Sequence, residues 1–108
     1  MKPSRSEADV LRSIREALKA LGIFHLRMNT GGFRDSHGQY VQFGTPGCAD
    51  ILAFPWSGKV LWIEVKSSTG KMSKDQELFQ SIVETHGHTY LLARSAEEVV
   101  KEITVEAA

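Results

Sequence analysis

The sequence predicts an α/β fold in the order αβββαβα, a mixed central sheet with helices on its faces. Apolar residues recur at helical spacing in separate segments. Two runs rich in β-branched and aromatic residues flank a Pro- and Gly-bearing turn, and 108 residues suffice for one modest core but not two. Ser4 or Ser6 can cap a first helix, in which Val10, Leu11, Ile14, Ala17, Leu18 and Leu21 share a face and Gly22 is the stop. Ile23 to Asn29 reads as a strand that Thr30-Gly31-Gly32 breaks, and Phe33 to Phe43 as an irregular excursion or small hairpin turning at Asp35-Ser36-His37-Gly38. Gly44-Thr45-Pro46-Gly47 leads into a central hairpin made of Asp50 to Phe54 and Val60 to Lys66. A helix follows from about Ser73 to His86, with Leu78, Phe79, Ile82 and Val83 on its inner face and Gly87 as its end. His88 to Ala93 is the last strand, and Ser95 caps a final helix with Glu98 in capping-box position, before an acidic tail expected to fray.

Composition narrows the class without naming an activity. One domain over residues 1–108, 42% hydrophobic, has no repeat, linker or low-complexity stretch. The single Cys48 excludes an intrachain disulfide and a Cys-cluster zinc site, which fits a reducing compartment. With no secretory h-region and no membrane-length apolar run, the chain is read as soluble and cytoplasmic. Thirteen Lys and Arg balance thirteen Asp and Glu, which argues against a nucleic-acid coating protein. The charge is unevenly spread: Glu97 to Glu106 is acidic, while Arg27, Arg34, Lys59, Lys66, Lys71 and Lys74 lie in segments that could border a site.

The site candidates lie on the central hairpin. Folded symmetrically about Ser57, it sets Leu52 opposite Trp62 and Asp50 opposite Glu64, with Lys66 on the same face. Two facing carboxylates repel, and each is costly to desolvate unless a cation joins them. A hard divalent ion such as Mg2+ takes oxygen ligands, which Asp50, Glu64 and the Val65 carbonyl would supply. Lys66 would lie beside the metal-bound water or the charge on a phosphoryl oxygen, suggesting metal-assisted phosphodiester hydrolysis. A surface ion-pair cluster is the bland alternative. Continuous apolar runs on both strands place the hairpin at a sheet centre and weigh against it.

Gly44-Thr45-Pro46-Gly47-Cys48-Ala49-Asp50-Ile51, then Ile63-Glu64-Val65-Lys66, then Gln76 on the next helix, resemble the PD-(D/E)XK nuclease superfamily. Within it, the chain resembles the VRR-NUC domain in its compact standalone form, found in phages and bacteria, over nearly its whole length. Ala49 stands where the superfamily's name-giving Pro would be, in a segment that sets backbone direction and supplies no ligand. The resemblance implies a restriction-endonuclease-like core, with Asp50, Glu64 and the Val65 carbonyl as metal ligands and Lys66 as the catalytic lysine. It also implies an active-site role for Glu7 on the first helix, directly or through a metal-bound water, and a water- or phosphate-positioning role for Gln76. Both residues have a second reading, because Ser4-Arg5-Ser6-Glu7 and Ser73-Lys74-Asp75-Gln76 are capping-box sequences, and one side chain cannot easily serve its helix start and the site together.

Contacts to DNA are expected from the loops. Asn29 to Gly32 could bring backbone N–H groups of Gly31 close to a phosphate, although a plain turn explains the glycines nearly as well. Ser67 to Lys74 offers hydroxyls, Lys71 and Lys74, and ends at a helix N-terminus. Arg27 could point into the cleft, with a solvated strand end as the simpler alternative. Cys48 and Trp62 read as packing residues, His86 and His88 as surface residues, and Trp56 as a lid over the core or a contact for DNA or a second subunit. The resulting expectation is an Mg2+-dependent endodeoxyribonuclease, with Mn2+ as substitute, acting on branched DNA of Holliday-junction or flap type as a homodimer. A phage-encoded protein acting inside a bacterial host fits the resemblance. The alternatives are a catalytically idle DNA-binding or assembly module of the same fold, and an unrelated protein-interaction domain.

Overall fold

Val10, Ile14 and Leu18 follow one another at intervals of four and fall on one stripe of a helix, α1 (Glu7–Ala20), where all three are buried. The computed structural model describes residues 5–28 and 30–107. After α1 come β1 (His25–Arg27), β2 (Gly31–Arg34), β3 (Tyr40–Phe43), β4 (Ile51–Ala53), β5 (Leu61–Val65), α2 (Lys74–Thr85), β6 (Thr89–Ala93) and α3 (Ala96–Ala107). Four strands form a mixed sheet in the order β1-β4-β5-β6, antiparallel except for the parallel β5–β6 pair that α2 connects. With β2 and β3 set aside as a separate hairpin, the order is the αβββαβα of the sequence reading.

Alternation along the strands divides the core between the two sheet faces. Ile51, Ala53, Leu61, Ile63, Val65 and Ala93 pack with Val10, Ile14 and Leu18 of α1 and Val99 of α3. On the other face Tyr90 and Trp62 meet Phe79 and Val83 of α2, with Trp62 and Phe79 edge to face at 5.0 Å. Each fully buried Leu or Ile contributes about 1.5–3 kcal/mol, so the α1 and α3 side is the principal source of stability. The register Ile51 with Ile63, Leu52 with Trp62 and Ala53 with Leu61 is the one that symmetry about Ser57 implies, and β4 and β5 are the two central strands.

Four expectations are corrected. The first strand is shorter than 23–29; Asn29 and Ser4 lie outside the described residues. The first strand does end before Thr30, but Gly31 and Gly32 open β2, where the Phe43 ring and the Tyr40 phenol of β3 lie over the space their side chains would fill. Leu78 and Ile82 are 61% and 50% exposed, since α2 reaches the sheet only through Phe79 and Val83. The acidic tail does not fray early: α3 runs to Ala107, with Ile103 packed on the core, the Trp56 Nε1–H donating to the Ile103 carbonyl at 3.3 Å, and Lys59 paired with Glu106 at 2.7 Å. Trp56 is therefore the lid over the core, and Lys59 lies at the end of β5 away from the Glu64 end. Arg34 also serves elsewhere, donating to the Gly38 carbonyl within the β2–β3 turn at 3.0 Å.

One backbone contact ties the approach to Asp50 to α2. Gly47 has φ +79°, and a Cβ there would lie 2.2 Å from the Asp75 carbonyl oxygen in the first helical turn. Gly58, in the turn before β5, shares the left-handed conformation (φ +78°) but has open space around it. An L-residue in that conformation costs roughly 1–2 kcal/mol. Gly58→Ala is expected to cost about 1 kcal/mol in chemical denaturation, and Gly47→Ala at least about twice that, because the clash adds to the strain. Equal losses would show that loop and helix separate freely.

Candidate metal centre

Asp50 stands one residue before β4, where that strand diverges from β5. Its backbone carbonyl accepts from the Met28 N–H at 2.7 Å, extending the ladder to β1, while its Oδ2 accepts from the Val65 N–H at 2.7 Å. The carboxylate thus takes a place that a strand backbone would otherwise fill, which fixes its direction. Glu64 lies on β5 and is only 2% exposed. Glu7 is the first residue of α1, and one carboxylate oxygen from each of Glu7, Asp50 and Glu64 falls within 4.8 Å of the others.

Both capping ambiguities are resolved by the hydrogen bonds. The capping box of α1 is made by Ser6 and Asp9: the Asp9 N–H donates to Ser6 Oγ at 3.1 Å and the Ser6 N–H to Asp9 Oδ2 at 3.4 Å. Glu7 takes no part in it and joins the carboxylates. Gln76 does what one side chain was not expected to do. Its Oε1 accepts from the Ser73 N–H at 2.9 Å while its Nε2 donates to Glu64 Oε2 at 3.3 Å, because a carboxamide carries acceptor and donor on opposite sides. The helix cap therefore aims the amide at the site.

Two cations oppose three carboxylates. Lys66 Nζ lies 3.7 Å from Glu64 Oε2 with its side chain 11% exposed, and the Arg27 guanidinium lies 3.8 Å from Asp50 Oδ1. Arg27 also donates to the carbonyls of Asp50 and Met28, so it points into the cleft and is not a solvated strand end. A cleft of about 240 Å³ is walled by Glu7, Ala8, Leu11, Arg27, Asp50 and Val65. Glu64 Oε1 is buried with no hydrogen-bond partner among the described residues. A buried carboxylate oxygen in that state carries a penalty of about 1–3 kcal/mol or more.

Burial, and next the charge of Asp50, push the Glu64 carboxyl up to about 8, with Lys66 pulling the other way. The thiol of Cys48 is raised as well, by burial first and then by Glu64 and Asp50, so it stays neutral as a packing residue should. The acidic trio could hold a metal ion, and its all-oxygen donor set with one buried orphan oxygen fits a hard divalent cation.

The other expected contact residues are more scattered. The Ser67 carbonyl accepts from the Arg94 guanidinium and from the Gly70 N–H at 3.3 Å, which holds the loop leaving β5. Arg94 escaped sequence reading; it comes beside this loop only through the parallel register that pairs Val65 with Ala93. Lys71 and Lys74 are exposed and Gly31 is covered by the Phe43 ring. No family model, curated protein or solved structure matches the chain.

The raised Glu64 carboxyl sets a pH dependence of fixed sign. The folded protein binds this proton more tightly than the unfolded chain, so Glu64's contribution to stability is full below its ordinary value of 4.5 and is lost as pH rises to about 8. The metal-free protein should melt lower at pH 8 than at pH 5, by about 4 °C or more, the equivalent of about 1 kcal/mol. Glu64→Gln should flatten that difference, and excess Mn2+ at pH 8 should restore the wild-type melting temperature. A wild-type protein as insensitive to pH as the variant would contradict the burial of this charge.

Proposed function

We propose that the chain is a metal-dependent endodeoxyribonuclease that hydrolyses phosphodiester bonds, of the VRR-NUC type within the PD-(D/E)XK superfamily. The observation that carries this reading is a buried Glu64 carboxylate with one oxygen orphaned among the described residues, grouped with Asp50 and Glu7 so that one oxygen of each lies within 4.8 Å of the others, and with Lys66 two residues on and 3.7 Å from its second oxygen. Glu7, Asp50 and Glu64, with the Val65 carbonyl, would hold Mg2+ or Mn2+. Such an ion supplies polarisation of a phosphoryl oxygen and a water acidic enough to ionise near neutral pH.

The remaining work falls to the side chains. The Lys66 ammonium, nearly sealed from water, stabilises negative charge gathering on a phosphoryl oxygen more than a solvated lysine could. Gln76 fixes the Glu64 carboxylate, and Val65 N–H fixes that of Asp50, so that neither must reorganise when charge develops. Arg27, with planar N–H groups at the cleft wall, would hold a phosphate beside the scissile one. The Arg94-held loop from Ser67 to Lys74 presents Lys71 and Lys74 to the flanking backbone.

Branched DNA cut by a homodimer, with one site for each strand, is the form of the reading that the resemblance favours. Phe33, Val41 and Phe43 support a second copy, since they share one face of the β2–β3 hairpin and are 54%, 36% and 45% exposed. Four-way junction, flap, single-stranded and linear duplex DNA, each labelled, should be cut in Mg2+ or Mn2+ and left whole in EDTA. Lys66→Ala should slow cutting at least about 100-fold. Failure of the wild type to cut any of these with either metal would refute the enzyme and leave a binding module.

A further inference from the structure

The cleft beside the acidic trio has a neighbour across two shared wall residues. Ala8 and Leu11 wall it on one side, and the same two residues begin a second groove of about 410 Å³ along α1, whose other walls are Arg12, Arg15, Glu16 and Lys19. Arg12, Arg15 and Lys19 lie at spacings of three and four and so form one stripe along the helix, with Glu16 the single opposing charge in the groove. Sequence reading placed the DNA contacts on loops and left this stripe unassigned.

The three cations are differently held. Arg12 pairs with Asp9 at 3.4 Å, where its side chain is 67% exposed. Arg15 Nε donates to His25 Nε2 at 3.5 Å, and His25 Nδ1 lies 3.2 Å from the Ile23 carbonyl, which accepts only if Nδ1 carries the proton. The ring is thereby set as an acceptor that orients the guanidinium and leaves its other N–H groups to the groove. Lys19 makes no ion pair among the described residues.

We infer that this groove is the path of a nucleic-acid strand leaving the active site, with Arg15 and Lys19 as its phosphate contacts. The inference rests on the nuclease reading of the trio and extends it. Charge selects the occupant: a chain of zero formal net charge lines this groove with Arg12, Arg15 and Lys19 against Glu16, and although Asp9 pairs with Arg12 the other two cations outnumber the groove's carboxylate beside the proposed phosphodiester site. Length agrees. Ala8 to Lys19 covers about 16 Å of helix, the axial span of about five phosphates at duplex rise along one strand. An acidic peptide would satisfy the charge but would leave the groove's place beside the cleft of Asp50 and Arg27 without a reason.

The test is binding of labelled duplex and single-stranded DNA over a salt series, with Ca2+ replacing Mg2+, for wild type, Arg15→Gln/Lys19→Gln and Lys101→Gln on exposed α3. Loss of two phosphate contacts should reduce the slope of log K against log salt by about 1.8 on duplex and about 1.4 on single strands, a weakening of about 10- to 30-fold at 0.15 M salt. Lys101→Gln should match wild type, and the double variant should keep wild-type Mn2+ affinity and melting temperature. An unchanged slope in a double variant of a DNA-binding protein would overturn the groove and leave the trio's reading intact. Wild type that binds Mn2+ but no DNA at any salt would overturn the nuclease reading and the groove with it. Polyglutamate binding as strongly as DNA, and losing as much in the double variant, would overturn the assignment to nucleic acid.

Discussion

A carboxylate sealed from water is tolerated only when its neighbours replace the hydration it has lost, and at Glu64 they do so for one oxygen out of two. Oε2 receives the Gln76 amide and faces Lys66, while Oε1 has no partner among the described residues. Asp50 and Glu7 add negative charge instead of relieving it. Hydrophobic residues of similar volume would serve stability as well or better at such a position. The arrangement makes physical sense as a receptor for positive charge, which the ion pairs of Lys66 with Glu64 and Arg27 with Asp50 meet only in part, since they leave Oε1 without a partner among the described residues.

Each neighbouring element is tied at the point where it meets the site. The Val65 N–H holds Asp50 where β4 and β5 diverge, and the Asp50 carbonyl holds β1 through Met28. Helix α1 caps itself with Ser6 and Asp9, which leaves Glu7 for the cluster, and α2 caps itself through the same Gln76 that reaches Glu64. Gly47 lets the loop before Asp50 lie directly on the first turn of α2, which couples the segment carrying Asp50 to the helix whose Gln76 reaches Glu64. Packing of Val10, Ile14 and Leu18 against the sheet sets the position of α1 and with it that of Glu7.

Features fixed by local pattern were legible in the sequence. The helices, the central hairpin and its register followed from apolar periodicity and a Pro-Gly turn, and Asp50, Glu64 and Lys66 were placed on one face by that register alone. Features fixed by tertiary approach were not. Both Ser-x-x-acid/amide sequences near α1 and α2 look alike on paper, yet one frees its candidate and the other uses Gln76 twice. The burial of the last helix depended on Trp56 and Lys59 arriving from 40 residues or more away in sequence. Leu78 and Ile82 misled because helical spacing shows which residues share a face and not how wide a face the sheet will cover. The stripe Arg12, Arg15, Lys19 was visible as charge, but only the fold sets its groove beside the trio's cleft, with Ala8 and Leu11 in the walls of both.

Whether Glu7, Asp50 and Glu64 share one hard divalent cation can be read from anomalous diffraction of crystals grown with Mn2+. The expected result is an anomalous peak within coordination distance of oxygens from Asp50 and Glu64, with Glu7 bound directly or through water, and its loss in Asp50→Asn crystals. A well-ordered trio with no peak at saturating Mn2+, with Lys66 and Arg27 still paired to Glu64 and Asp50 at 3.7 and 3.8 Å, would make the cluster a structural ion-pair network and not a metal site.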